Sequence, residues 1–348
     1  MPTRCSVQFA RDNSTFYSGE ELKGQFVLCT TEEININSIY ILLTGEGRVY
    51  PFENTSSPMV KGVESYLNTH VDCVGGRKLP AGTYNYSFNF MLPLRCPSSC
   101  EASIGSISYQ ISLVIDRHRH SDEVFKETIN VIQPYNLNRY RDLKIPIENE
   151  YIKSLCCWPF SSGPVSLSLT IPFGGYVPGE KINCTVCIDN QAVGDDLHNV
   201  QLSLKQIMRF STTAPEGFSR EREHEYLLTS CILTECVNRL SKRLLNGSLQ
   251  VPSVPPSTRK RQIIEIRYVV TISMKHGYCS NWNIDTPIVI GTKSLMKSIQ
   301  IPITETAPIA ETEWEPQTPD TPAETTEPSA QSLDNCETNT LEMNNVNP

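Results

Sequence analysis

Two closely spaced pairs of cysteines are the first candidates in this chain for redox chemistry or metal binding. Cys184 and Cys187 have the spacing of a redox or zinc pair. They fall within an alternating apolar stretch, and residues three apart on a strand point to opposite faces, so the two thiols cannot share a metal. Cys96 and Cys100 lie in a loop, but no histidine or second cysteine pair accompanies them at a finger-like spacing. The sequence therefore predicts no metal site.

The two histidines His118 and His120 are the next candidates, for metal binding or for acid–base chemistry with the carboxylates around them. They lie in the charged run 116–123, which also holds two arginines that disfavour a cation and which is typical of a solvated hairpin turn. The chain contains no Gly-rich phosphate loop, nucleophile elbow or His-Glu-x-x-His motif. We therefore expect a protein that is not an enzyme and needs no cofactor.

The elements that position these residues are strands, and they occur twice. The stretch 16–28 returns 160 positions later as 176–188, with a Gly-Glu pair in each copy at Gly19-Glu20 and Gly179-Glu180. A glycine there can take the positive φ of a turn, and apolar residues at every second position after it predict a strand. Two further alternating segments recur in the same order, 39–43 with 200–204 and 107–113 with 266–272. These repeats indicate that the chain contains two copies of one β domain.

Composition limits the compartment and the partners. Thirteen cysteines at irregular spacing, and an N-terminus from Met1 to Cys5 without an apolar stretch, favour a cytosolic protein with free thiols. No apolar run reaches the length of a transmembrane segment. The net charge of −8 comes from the segment after Thr304, which holds ten acidic residues and no basic one and leaves 30 basic against 28 acidic residues before it. Such a balance argues against nucleic acid as a partner.

These patterns predict an all-β fold of two tandem immunoglobulin-like antiparallel β-sandwiches, since alternation recurs throughout and no stretch sustains a helical period. We place the first sandwich at 1–134, an inter-domain connection at 135–162 and the second sandwich at 163–304. The Thr-, Glu- and Pro-rich remainder, 305–348, is predicted to be a disordered acidic tail.

This organisation resembles the arrestin fold, and local motifs narrow the resemblance to the α-arrestins, the arrestin domain-containing proteins. They are the Tyr-x-Gly-Glu-x-Leu-x-Gly motif at 17–24, the Leu-Pro-Ala-Gly motif and strand at 79–93, Gly-Ser-Ile-Ser-Tyr at 105–109, and the Cys-Cys-Trp segment at 156–167. The resemblance covers about residues 3–304. It implies a non-catalytic cytosolic adaptor that binds cytosolic regions of membrane receptors or transporters, supports their ubiquitin-linked endocytosis and sorting, and is recruited peripherally to the plasma membrane or endosomes.

The chain departs from the family in its ligase-binding motif. Most α-arrestins bind WW domains of ubiquitin ligases through Pro-Pro-x-Tyr motifs in the tail. The segment after Thr304 has no Pro-Pro pair, and the nearest look-alikes are Pro255-Pro256-Ser257-Thr258 and Gln133-Pro134-Tyr135. Any ubiquitin ligase is therefore expected to be engaged indirectly, for example by pairing with another arrestin.

Several residues are candidates for binding or modification within this interpretation. The set comprises Arg4, Arg11 and Lys23 for phosphate or acidic ligands, Arg259, Lys260 and Arg261 for lipid or tail contact, Cys156 and Cys157 for thiol modification, and Thr318 and Thr321 for phosphorylation.

Two other functions remain open from sequence alone. The chain could be a redox-linked signalling regulator that binds a thioredoxin-like partner through its free cysteines, or a scaffold that pairs with another arrestin.

Overall fold

The structure is a computed structural model that describes residues 3–50, 62–157, 160–194, 196–213, 219–259, 262–276 and 280–296. Within these ranges it contains strands and two short 3-10 helices, at Leu137–Arg139 and Arg141–Lys144, and no α-helix. The predicted acidic tail, with Thr318 and Thr321, lies outside the described residues, as do Lys260 and Arg261.

The first sandwich consists of two sheets. One has the strand order β1-β3-β7, and the other has the order β2-β10-β9-β4-β5, with β6 paired to β4 and β8 paired to β9. The strands are β1 (Thr3–Phe9), β2 (Thr15–Tyr17), β3 (Glu21–Thr30), β4 (Ile34–Val49), β5 (Gly62–Val74), β6 (Arg77–Leu79), β7 (Gly82–Met91), β8 (Cys100–Ala102), β9 (Gly105–Arg117) and β10 (Glu123–Ile132).

The second sandwich repeats this plan, with the sheets β11-β12-β14-β17 and β13-β19-β18-β15-β16. Its strands are β11 (Ile147–Cys157), β12 (Phe160–Ile171), β13 (Gly175–Tyr176), β14 (Lys181–Asn190), β15 (Leu197–Thr213), β16 (Ser219–Val237), β17 (Ser241–Gln250), β18 (Ile264–His276) and β19 (Ser280–Ile290). The prediction of two tandem immunoglobulin-like antiparallel β-sandwiches is confirmed.

The repeated sequence elements occupy equivalent places in the two sandwiches. The Gly-Glu turns precede β3 and β14, and the other matched segments form β4 with β15 and β9 with β18, at corresponding positions in the strand orders. Gly19 has φ 92° and Gly179 has φ 90°, so both glycines adopt the predicted left-handed conformation. In each copy a two- or three-residue strand pairs in parallel with the last strand of the sandwich.

The segment predicted as the inter-domain connection contributes a strand to the second sandwich. β11 pairs antiparallel with β12 along nearly its whole length and has no counterpart in the sheet β1-β3-β7. Its apolar alternation is weak because two half-buried positions hold polar residues. The Asn149 amide donates to Thr286, and the Lys153 ammonium lies 5.4 Å from the centre of the Trp282 ring.

The core forms where the alternation predicts it. Along β14 the residues Ile182, Cys184, Val186 and Ile188 are buried, while their neighbours alternate outward. One continuous cluster of buried apolar side chains runs through both sandwiches. At the junction Gly105 permits close approach of the two sandwiches, since a Cβ there would lie 3.1 Å from a ring carbon of Phe210 on β15.

Candidate functional site

The duplicated Gly-Glu turns have the same hydrogen bonds in both sandwiches. The Glu20 carboxylate accepts from the Tyr17 backbone N–H at 3.0 Å, and the Glu180 carboxylate accepts from the Val177 N–H at 2.9 Å. Each glycine N–H donates to a carbonyl after the last strand of the small sheet, Gly19 to Leu92 and Gly179 to Val251, both at 2.9 Å. Glutamate therefore acts as a hydrogen-bond acceptor within each turn. The Gly-Glu pair is visible as a repeat in the sequence, but the pattern indicates a structural role only for the glycine.

Both turns border a cleft of about 440 Å³ between the two sandwiches. Residues of the first sandwich form one wall, and the 177–178 and 253–256 segments together with the residues that follow β19 form the other. The lining residues are Tyr17, Ser98, Ser99, Asn130, Ile132, Val177, Pro178, Ser253, Val254, Pro255, Pro256, Gly291 and Thr292.

The chemistry of this cleft is neutral, because no acidic or basic side chain is among its lining residues. Ser98 and Ser99 accept hydrogen bonds from the Gln133 and Val131 N–H groups, both at 2.9 Å, and are thus held in the wall. Ile132, Val254 and the three prolines of the lining add apolar surface. Apolar walls with a few fixed polar groups suit an uncharged peptide segment better than a highly charged ligand.

A clamp beside the cleft ties the segment that leaves the first sandwich to the end of the second sandwich. The Tyr135 N–H donates to Thr292 Oγ1 at 2.9 Å, and the Thr292 N–H donates back to the Tyr135 carbonyl at 2.9 Å. Asn138 donates to the Ser294 carbonyl at 2.7 Å. Leu137, fully buried, packs between Gly175 and Gly291.

Arg259, predicted to contact lipid or the tail, takes part in this clamp. Its guanidinium lies 4.5 Å from the centre of the Tyr135 ring and donates to the Pro134 carbonyl. Of the Pro-Pro-x-Tyr look-alikes, Pro256 and Tyr135 are buried, and the Pro255 carbonyl accepts from the Tyr268 hydroxyl. Both look-alikes therefore form part of the domain junction.

The three cations predicted for acidic ligands do not converge. Arg4 lies opposite Cys29 in the β1–β3 register, and Lys23 lies six residues from Cys29 along β3, about 20 Å away. The Arg11 guanidinium pairs with Glu20 at 3.0 Å, and Lys23 pairs with Glu21. Lys23 lowers the pKa of Glu21 through this hydrogen bond. Two of the three cations thus already have a carboxylate partner.

Burial lowers the reactivity of several thiols. It raises the pKa of Cys5 and of Cys184 to about 12 and that of Cys100 to about 11, and it also raises the pKa values of Cys73 and Cys96. A raised pKa leaves little thiolate at neutral pH. Cys156 and Cys157 belong to β11, and their side chains lie outside the described residues.

The histidine pair and the Cys184–Cys187 pair are placed as the sequence predicts, whereas Cys100 begins β8 and does not lie in the predicted loop. β9 ends at Arg117, and His118 and His120 follow in an exposed turn where Arg119 has φ 60°. Cys184 faces the core, whereas Cys187 is half-buried on the other face of β14.

Comparison with known proteins identifies the family. Residues 5–138 match the family described as "Arrestin (or S-antigen), N-terminal domain", and residues 161–295 match "Arrestin (or S-antigen), C-terminal domain". The chain belongs to the arrestin family. Membership supports an adaptor role, and the resemblance to the arrestin domain-containing proteins is confirmed.

Similar proteins come from nematode and mouse. Arrestin domain-containing protein 17 of Caenorhabditis elegans is 24% identical over 83% of this chain and 70% of its own length. Two mouse proteins, arrestin domain-containing proteins 1 and 4, are each 25% identical over 77% and 80% of this chain. The chain spans 60% and 68% of the lengths of these two relatives. No helix among the residues described here is long and apolar enough to cross a bilayer.

Proposed function

We propose that this arrestin is a non-catalytic cytosolic adaptor that binds cytosolic regions of membrane receptors or transporters and supports their ubiquitin-linked endocytosis and sorting. Its recruitment to the plasma membrane or to endosomes is peripheral and depends on the cargo.

The observation that carries the proposal is the cleft between the sandwiches. Its volume, about 440 Å³, falls within the range of ligand-binding clefts, and its walls come from both domains. A peptide bound there contacts both sandwiches at once, while the clamp at Tyr135 and Thr292 keeps the walls in place. Such a site recognises an extended cytosolic segment without altering it covalently.

The cleft is a better primary contact for cargo than the predicted cations are. An acidic ligand at Arg11 or Lys23 has to displace Glu20 or Glu21, and Arg4 alone provides one exposed charge. Exposed single charges contribute little to affinity because water and salt screen them. We therefore assign the cations a secondary role in cargo binding.

A ubiquitin ligase is then reached through another protein. Both Pro-Pro-x-Tyr look-alikes in the sandwiches are built into the domain junction. Pairing with a second arrestin that carries the ligase-binding motif meets this requirement.

The test is proximity labelling in cells with the full chain and two matched variants. Ser253→Arg places a long cation at the wall of the cleft, and Ser248→Arg introduces the same residue at an exposed position on β17. We expect membrane proteins among the labelled proteins. Their labelling should fall about tenfold or more with Ser253→Arg, equivalent to about 1.4 kcal/mol of binding free energy, and should stay unchanged with Ser248→Arg. A set dominated by proteins unconnected with membranes contradicts the adaptor function, whereas equal labelling by both variants contradicts the cleft.

The redox alternative makes a different prediction in the same cells. A mixed disulfide with a thioredoxin-like partner requires a reactive thiolate, and five described cysteines have raised pKa values. We expect co-precipitation of cargo to persist in dithiothreitol. Loss of the complex in reductant and in one Cys→Ser variant supports the redox function instead.

A further inference from the structure

Three side chains of different chemistry meet at one end of the second sandwich. A carboxylate oxygen of Asp196, a ring nitrogen of His198 and the sulfur of Cys236 all lie within 4.8 Å of one another. None of the cysteine or histidine pairs with suggestive sequence spacing belongs to this group.

Strand pairing brings these residues together. His198 on β15 is directly opposite Cys236 on β16, so the two side chains are neighbours on one face of the sheet. Asp196 precedes β15 by one residue and is two positions from His198, which places it on the same side. Because Cys236 is distant in sequence, no local motif reveals the group.

The backbone around the group is irregular in a way that aims its side chains. Asn199, directly after His198, has φ 51°, and the register of β15 shifts on both sides of the strand at this point. β-bulges of this kind re-aim a side chain at the edge of a regular ladder. The Arg239 N–H donates to Asp196 Oδ1 at 2.7 Å, which orients the carboxylate and leaves its second oxygen available.

We propose that Asp196, His198 and Cys236 bind one Zn²⁺ ion, with a fourth position open to water. Zinc accepts oxygen, nitrogen and sulfur ligands together, and three protein ligands with an open position form a familiar zinc geometry. Thiolate and imidazole disfavour Mg²⁺ and Ca²⁺, which prefer oxygen ligands.

Charge and geometry are compatible with the ion. The carboxylate and thiolate together neutralise Zn²⁺, and the thiol proton, now donated to Asn238 at 3.4 Å, is released to water on binding. Tetrahedral zinc requires its ligand atoms to be about 3.5 Å apart. His198 is exposed and Asp196 and Cys236 are half-buried, so rotation of these side chains closes the remaining distance.

A lysine on a neighbouring strand opposes the ion. Lys275 on β18 lies opposite His198 in the register, so its side chain projects from the same face. Its ammonium is exposed and can extend into water. Removing this charge, as in Lys275→Met, is expected to raise the affinity for Zn²⁺.

The experiment is a metal titration of the full, reduced, metal-free chain. Co²⁺ serves as the spectroscopic probe, since a thiolate ligand gives it a charge-transfer band in the near ultraviolet, and displacement by Zn²⁺ then reports the zinc affinity. We expect one equivalent to bind, and His198→Gln, Asp196→Asn and Cys236→Ser each to lower the affinity by about 100-fold or more, above the effect of an outer-sphere change.

The matched control is Cys187→Ser, which removes a half-buried thiol that lies outside the group. It should leave the affinity and the Co²⁺ band unchanged. An unchanged affinity in His198→Gln, or an equal loss in Cys187→Ser, overturns the proposal. His198 is exposed, so its variant tests the site even where Cys236→Ser fails to fold.

Discussion

Replacing Gly179 by alanine tests the backbone conformation that both domains share. Gly179 has φ 90°, and a Cβ there meets no atom within 4 Å, so the effect is purely conformational. A left-handed conformation costs an L-residue about 1–2 kcal/mol. Alanine also lowers the conformational entropy of the unfolded chain, and this offsets about 0.4–1 kcal/mol of that cost. We expect a net loss of about 1 kcal/mol, and a smaller loss for Gly179→Asn, because asparagine tolerates this region better.

The assay is thermal or urea unfolding of the purified chain. One kcal/mol corresponds to a shift of about 2–4 °C in Tm for a domain of this size. Gly19→Ala is the counterpart, with the complication that its Cβ would lie 2.5 Å from Leu94 Cδ2. Leu94 is 79% exposed and can turn away, and in a Leu94→Ala background the two glycine substitutions should cost the same. The reasoning is refuted if Gly179→Ala is as stable as the unmodified protein, or if asparagine costs as much as alanine.

Three further predictions concern stability. Tyr268→Phe removes a donor to a backbone carbonyl and leaves the Gln206 amide without its 2.9 Å acceptor, so we expect a loss of about 1–3 kcal/mol by urea unfolding; no change contradicts this. Burial raises the pKa of Cys184 to about 12. The protonated thiol therefore contributes fully to the free energy of unfolding below the unfolded-state pKa near 9, and this contribution is lost as the pH rises towards 12. In Cys184→Ala, the free energy of unfolding measured by urea should change less with pH over this range. Arg259→Lys keeps the charge but loses the planar stacking on Tyr135, for which we expect a loss of about 0.5–1 kcal/mol in the same assay, and equal stability would contradict the role of the clamp.

Elements with strict alternation were predictable from sequence, and elements with polar inward positions were not. β12 and β14 place an apolar residue at nearly every inward position, so period and burial agree. β11 has Asn149 and Lys153 at such positions, where they find partners on β19 that only the folded chain supplies. Tertiary contacts therefore decided the structure of the segment predicted as a connection.

The candidate sites were less predictable because they depend on pairing between distant segments. The cleft is formed by loops and strand ends from both sandwiches, and the clamp joins Tyr135 to Thr292 across the chain. In a sequence, closely spaced cysteines are the usual sign of a metal or redox site. Here that sign falls on Cys184 and Cys187, whose side chains lie on opposite faces of β14.

The two copies of the duplicated domain differ in sequence, so the two walls of the cleft differ chemically. The same turn contributes to both walls, but the first copy presents Tyr17 and the second presents Val177 and Pro178. The segments hydrogen-bonded to the two turns also differ, with the exposed Leu94 in the first and Ser253 in the second. A peptide bound in the cleft as we propose would have an aromatic hydroxyl on one side and aliphatic surface on the other. Reversing such a peptide would exchange these contacts, so we expect the proposed binding to depend on the orientation of the peptide as well as on its composition.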